Sequence, residues 1–156
     1  MSDEQVCEFP KENASPEEIR ELLCSARVIA VVGLSDKPDR DSFRVASYLK
    51  EHGYRIIPVN PNVSDVLGLP AYDRLEAIPE PVDVVTIFRR PEAVPPIVDD
   101  AIRIGAKAVW MQLGIVHNAA AEVARQAGLT VVMNRCMMQE HRRLSQQGGC
   151  SEPPPS

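Results

Sequence analysis

Arg27-Val28-Ile29-Ala30-Val31-Val32-Gly33-Leu34-Ser35 is a short, unbroken apolar run, rich in β-branched residues, that ends in glycine. A strand with one wet face alternates polar and apolar side chains. An unbroken run needs cover on both faces, the position of a central strand in a parallel sheet. Three later runs share this form and also end in turn-forming or polar residues. Residues 54–59 lead into Val59-Asn60-Pro61, residues 82–88 into Phe88-Arg89-Arg90-Pro91, and residues 106–111 into Gln112-Leu113-Gly114. Parallel strands point the same way, so these four tips should gather along one edge, where open α/β sheets bind their ligands.

The segments between the strands read as helices. Ser15-Pro16-Glu17-Glu18 combines an N-cap, a proline at the first helical position and a capping-box acid, predicting a helix to about residue 25. Val45, Tyr48, Leu49 and His52 mark a helix over 42–52, with Gly53 suited to the left-handed position after it. Val94, Ile97, Val98 and Ala101 mark another, whose start Pro95 and Pro96 fix and which Gly105 closes. A helix over 118–127 with Gly128 as its stop, a strand over 129–134 and a final helix over 137–144 complete the rhythm. Residues 60–81 are proline- and turn-rich, and Leu69-Pro70-Ala71-Tyr72 is a candidate edge strand. Strands alternating with helices predict right-handed βαβ units in an α/β, doubly wound, mainly parallel sheet with helices on both faces. The expected organisation is a flexible N-terminus over 1–14, one domain over 15–144 and a disordered tail over 145–156.

Composition narrows the function. The 156 residues are 44% apolar but only 4% aromatic, which suits a Val, Ile, Leu and Ala interior. The net charge of −5, without a basic stripe, argues against nucleic acid as a partner. A small anion remains compatible, because a few local arginines act over shorter range than the acidic average. No stretch approaches a membrane span, and the acidic N-terminus lacks a signal pattern. Cys7, Cys24, Cys136 and Cys150 form no metal or redox motif and suggest no disulfide framework, so a reducing cytoplasm is the expected location.

At the tips, Gly33, Leu34 and Ser35 lead from a strand toward a helix, offering backbone N–H groups and a hydroxyl to a diphosphate, with Lys37, Arg40 and Arg44 close by. A G-x-G-x-x-G fingerprint is absent, and Val59-Asn60-Pro61 carries no carboxylate for an NAD ribose. Val59 and Pro61 suit packing against a base or its ribose instead. Arg89 and Arg90 suit bidentate contact with phosphate. His52, His117 and His141 are scattered, with His52 read as packing and His141 as surface, and Cys136 is read as buried structural cysteine. Trp110 with Met111, Met133, Met137 and Met138 reads as core or as a contact for a partner helix.

Taken in order, Ala30-Val31-Val32-Gly33-Leu34-Ser35, Tyr54-Arg55-Ile56-Ile57-Pro58-Val59-Asn60-Pro61, Phe88-Arg89-Arg90-Pro91, Gly105-Ala106-Lys107-Ala108-Val109-Trp110 and Asn134-Arg135-Cys136 carry a closer likeness. The chain resembles the stand-alone CoA-binding domain proteins, similar to the N-terminal domain of the succinyl-CoA synthetase alpha subunit. The resemblance implies a Rossmann-like fold, coenzyme A as cofactor, and contacts from the first loop, the Val59-Asn60-Pro61 tip and the Met111-Gln112-Leu113 tip, with Phe88 to Pro91 bordering the crevice. The ligase activity of the synthetases, which belongs to a following domain, is not implied.

The expected function is binding of CoA or an acyl-CoA, without catalysis of its own, at Gly33, Leu34, Ser35, Lys37, Arg40, Val59, Asn60, Pro61, Phe88, Arg89, Arg90, Met111, Gln112 and Leu113. Two other readings stay open: a small NAD(P)- or CoA-dependent enzyme using Cys136 or a histidine, and a regulatory module whose sheet edge or Met-rich final helix meets a protein partner or a second copy.

Overall fold

The Ser15 hydroxyl accepts a hydrogen bond from the Glu18 N–H at 3.1 Å, and the Glu18 carboxylate accepts one from the Ser15 N–H at 2.8 Å. Helix α1 (Pro16–Ser25) therefore begins where its capping box requires. The structure is a computed structural model and describes residues 9–150. After α1 come β1 (Val28–Val32), α2 (Asp41–Glu51), β2 (Arg55–Val59), β3 (Asp65–Val66), β4 (Leu69–Pro70), β5 (Val84–Ile87), α3 (Val94–Arg103), β6 (Ala108–Met111), α4 (Asn118–Gln126), β7 (Thr130–Val132) and α5 (Met137–Gln146). Five strands form one parallel sheet in the order β2-β1-β5-β6-β7. The Rossmann-like, doubly wound α/β fold expected from the sequence is the fold observed.

The unbroken apolar run of β1 is explained by two cores. Ala30 and Val32 pack with Val94 and Val98 of α3 and Ala121 and Ala124 of α4. Ile29 and Val31 pack on the opposite face with Leu23 of α1, Val45 and Leu49 of α2, and Met137 and Leu144 of α5. Each strand residue thus leaves water whichever way it points, which burying Val, Ile or Leu rewards by about 1.5–3 kcal/mol per side chain. Trp110 of β6 is fully buried, and its indole N–H donates to the Arg135 carbonyl at 2.9 Å, so its polar atom is satisfied.

At the opposite end of the sheet from the tips, the Asp83 carboxylate accepts from the N–H groups of Arg27 and Val28 at 2.9 and 3.0 Å, latching the entry of β1 to that of β5. Burial pushes the Asp83 carboxyl up, but those two N–H groups and the ammonium of Lys107 outweigh it and hold the acid below its ordinary value. A depressed carboxyl stabilises the fold above its unfolded pKa, about 3.9, and that contribution is lost as pH falls through the lower folded value. Asp83→Asn is expected to lose about 1–2 kcal/mol at neutral pH, the scale of charge-assisted hydrogen bonds, and to flatten the acid limb of stability. Urea unfolding at pH 7 and at acid pH measures both.

Several expectations need correction. The segment 69–72 contributes β4, which pairs antiparallel with β3 in a separate two-stranded ribbon rather than joining the main sheet. Its turn, Leu67 (φ 56°) and Gly68 (φ 74°), is left-handed at both positions. A leucine there is not the Asn-Gly type of signal that advertises such a turn. Tyr72 does reach the main sheet, as a single parallel bridge beside Val59.

The segment before α1 is tied down from Phe9 onward. The Asn118 amide brackets it by donating to the Phe9 carbonyl and accepting from the Lys11 N–H, each at 2.9 Å. The Asn13 side chain pairs with both the N–H and the carbonyl of Met133. At the other end α5 runs through Gln146, Arg20 donates to the Gly149 carbonyl at 3.2 Å, and Cys24 is disulfide-bonded to Cys150. The absence of a disulfide expected from cysteine spacing is therefore overturned. The two cysteines lie 126 residues apart and meet only because α5 returns beside α1, a proximity that no local spacing expresses. Since disulfides persist in oxidising surroundings, the cysteines no longer argue for a reducing compartment. Among the described residues, no helix is long and apolar enough to cross a membrane. Residues 1–8 and 151–156, with Cys7 and the terminal prolines, lie outside the described residues.

Candidate functional site

The chain passes from β1 to β2 on one side, then returns to β5 on the other side of β1, so the sheet's switch point lies between the tips of β1 and β5. Gly33 sits there with φ +89°, and a Cβ at this residue would stand 2.5 Å from the Phe88 carbonyl oxygen and 3.0 Å from Cδ of Arg89. Glycine is required because the two tips touch. The Gly33 N–H donates to the Val59 carbonyl at 2.8 Å, the Phe88 N–H to the Val32 carbonyl at 2.9 Å and the Gln112 N–H to the Ile87 carbonyl at 3.3 Å. The Asn60 side-chain amide donates to the Leu34 carbonyl at 3.0 Å. Hydrogen bonds thus join the tips bearing Gly33, Asn60, Phe88 and Gln112 into one rim.

Three cavities follow that rim. The first, of 260 Å³, is bordered by Val32, Val59, Pro61, Arg89, Ala93 and Ile97, with carboxylates from Asp73 and Asp100. The second is an open 460 Å³ depression over Phe88, Arg89, Arg90 and Glu92. The third, of 320 Å³, is bordered by Val45, Phe88, Gln112, Leu113, Cys136 and Met138, among others. Arg89 belongs to the first two and Phe88 to the last two, so the three cavities are neighbours in a row that tracks the rim. From the β2 tip to the β6 tip is three strand spacings, about 14 Å. A larger cavity of 500 Å³ lies between α1 and α5, flanked by Pro16, Arg20, Glu140 and Arg143. It is remote from the switch point, and volume alone does not make it the better site.

The rim is also where cations are available. Among the described residues Lys37, Arg40 and Arg89 have no ion-pair partner, while Arg90 lies 3.9 Å from Glu92 with both side chains largely exposed, a pairing of little strength. Arg44 differs, since it pairs with Asp41 and donates to the Asp39 carbonyl. Helix α2 has no side-chain cap at its N-terminus, where the Asp41 carboxylate of the first turn already faces the dipole.

Not every sequence-derived candidate is free to contact a ligand through the group first considered. The amides of the first loop are occupied: Gly33 N–H by Val59, Ser35 N–H by the Ser42 hydroxyl and Lys37 N–H by the Ser35 hydroxyl oxygen. The Ser35 O–H proton and the Lys37 and Arg40 side chains remain. Leu34 and Met111 are fully buried and act as packing under the rim. Val59 is nearly so, touching the first cavity from the core. Asn60 serves as a brace between loops. Conversely, Val45, Ile97, Asp73 and Met138 border the cavities although none of them was expected among the binding residues, because their places depend on helix and loop packing that no local pattern carries.

The histidines fall in two places, His52 and His141 together beside Tyr48 and His117 apart from them. His117 caps α4 by accepting from the Ala120 N–H at 3.1 Å. His52, expected to be packed, is exposed and stacks on Tyr48, while His141, expected on the surface, is half-buried and shares a 2.8 Å hydrogen bond with the Tyr48 hydroxyl. Burial, and next the neighbouring His52, lowers the pKa of His141. Both corrections arise because α5 packs across α2. Cys136 is free and buried. Among the described residues no cluster of three or more His, Cys, Asp or Glu side chains is arranged to hold a metal ion.

The sheet, its switch point and the cavities along it define a nucleotide-type binding domain, and residues 27–142 match the model of the CoA binding domain family, to which the chain belongs. It is 40% identical to the uncharacterized protein YneT of Bacillus subtilis over 130 residues, covering 83% of this chain and 96% of that one. A solved structure of a hypothetical protein from Pyrococcus horikoshii is 43% identical, with TM-score 0.84, and the match covers 88% of this chain and 97% of that one. An ADP-forming acetate–CoA ligase of Archaeoglobus fulgidus is 26% identical over 127 residues, which are 75% of this chain but only 18% of the ligase. The likeness to a succinyl-CoA synthetase-type CoA-binding domain is thereby supported.

Proposed function

We propose that the rim track binds coenzyme A or an acyl-CoA and that the protein carries out no chemistry of its own on it. The observation that supports this most is the row of neighbouring cavities along the rim, from a base-sized one floored by Val32, Val59 and Ile97, past Arg89 and Arg90, to a third beyond Phe88. Adenosine takes the first cavity, against Val59, Pro61 and Ile97. The carboxylates of Asp73 and Asp100 there suit the one free ribose hydroxyl, at the 2′ position, or the adenine amino group, and repel phosphate, which keeps the phosphates at the cavity mouth. The diphosphate meets the Ser35 hydroxyl, Lys37 and Arg40. Arg89 and Arg90 take the 3′-phosphate, and the pantetheine arm runs over Phe88 toward Gln112 and Leu113.

The donor set fits such a ligand, because Lys37, Arg40 and Arg89 stand on these loops without an ion-pair partner among the described residues and the exposed Arg90–Glu92 pair is weak. Removing both guanidinium groups in Arg89→Gln with Arg90→Gln is expected to weaken CoA about tenfold or more, since each charge-assisted contact to phosphate is worth about 1.5–3 kcal/mol. Dephospho-CoA, which lacks that phosphate, should lose little. Calorimetric titration of both ligands against both proteins measures the difference, and an equal loss for the two ligands would remove the 3′-phosphate assignment.

A further inference from the structure

Gln112 is 2% exposed, and its side-chain oxygen accepts a hydrogen bond from the Met137 N–H at 3.2 Å at the start of α5. That bond fixes the orientation of the amide, because a backbone N–H needs an acceptor and only Oε1 can serve. Nε2 is left as the one buried side-chain nitrogen or oxygen without a hydrogen-bond partner among the described residues. Buried donors are almost always paired, so an orphan on a residue that borders a cavity invites an acceptor that is not part of the chain, which Nε2, itself nearly without accessible surface, meets when the side chain turns toward the cavity. Gln112 forms part of the wall of the 320 Å³ cavity at the far end of the track, beside Val45, Phe88, Leu113, Cys136 and Met138.

We propose that Gln112 is a specificity-determining residue, its Nε2 donating to the thioester carbonyl of a short, uncharged acyl-CoA whose acyl carbons enter this cavity. The inference rests on the reading of the track as a CoA site. Its charge preference follows from the same wall. The cation bordering the cavity, Arg44, is already paired with Asp41, and the Asp41 carboxylate borders it too. An acyl group ending in a carboxylate would meet a wall where Arg44 and Asp41 leave no net positive charge, whereas acetyl or propionyl would meet apolar and thioether surface.

The test is calorimetric titration of the full chain and of Gln112→Met with CoA, acetyl-CoA, succinyl-CoA and S-ethyl-CoA, the last a thioether with the bulk of acetyl-CoA but no carbonyl. Thermal melting checks that the variant is folded. The native protein is expected to hold acetyl-CoA about five- to tenfold tighter than S-ethyl-CoA, the ratio that one hydrogen bond supplies, and to hold succinyl-CoA less tightly than acetyl-CoA. In Gln112→Met the acetyl and S-ethyl ligands should converge in affinity. Should the variant not fold, the native comparison of acetyl-CoA with S-ethyl-CoA decides alone. Equal affinity for those two, with CoA bound, would overturn the role of Gln112 and leave the CoA reading standing. Failure of every CoA compound to bind would overturn both.

Discussion

Gly33→Ala is expected to lose about 3 kcal/mol of stability and to weaken ligand binding with it. Two costs combine. The backbone at φ +89° is a left-handed conformation that costs a residue with a Cβ about 1–2 kcal/mol. In addition the new methyl would stand 2.5 Å from the Phe88 carbonyl oxygen, a backbone atom that cannot swing aside, so the β5 tip must shift and carry Phe88 and Arg89 with it. Gly114 supplies the control, with φ +85° and nothing within 4 Å of its Cβ position. Gly114→Ala should therefore show the conformational cost alone, about 1–2 kcal/mol. Urea unfolding of the two variants separates the terms, and equal losses would contradict the close approach of the β1 and β5 tips.

Reduction of the Cys24–Cys150 disulfide is the second large effect. The bond closes a loop with a sequence separation of 126 residues. In the chain-entropy description, a loop of that length restricts the unfolded ensemble by about 5 kcal/mol. Oxidised protein should unfold at clearly higher denaturant than reduced protein, and Cys150→Ser should behave like the reduced form whether or not reductant is present. A midpoint indifferent to reductant would show that the bond does not contribute. Because Cys150 lies beyond the end of α5, the folded contacts of the main sheet are common to both states, so the difference reports chiefly on the unfolded chain.

The main sheet and its helices were legible because each β-branched run is buried on two faces and several helices carry a start or a stop signal, as Ser15 with Glu18 shows for the start of α1 and Gly53, Gly105 and Gly128 show for later ends. The convergence of the strand tips followed from parallel topology. What stayed hidden depends on contacts between residues far apart in sequence. The grip of Asn13 on Met133, the meeting of Cys24 and Cys150 and the burial of His141 against Tyr48 are of this kind. The site was legible as a set of loops but not as a set of atoms. Nothing in Gly33-Leu34-Ser35 reveals that its amides are consumed by Val59 and Ser42, and nothing in Gln112-Leu113-Gly114 reveals that one amide nitrogen is left unpaired.

The most direct measurement is calorimetric titration of the native chain with CoA and, in parallel, with NAD. Saturable heat with CoA at sub-millimolar ligand, weaker or absent with NAD, is the expected result, since NAD lacks the 3′-phosphate that Arg89 and Arg90 are proposed to hold. No heat with CoA at millimolar ligand, or tighter binding of NAD, would contradict it.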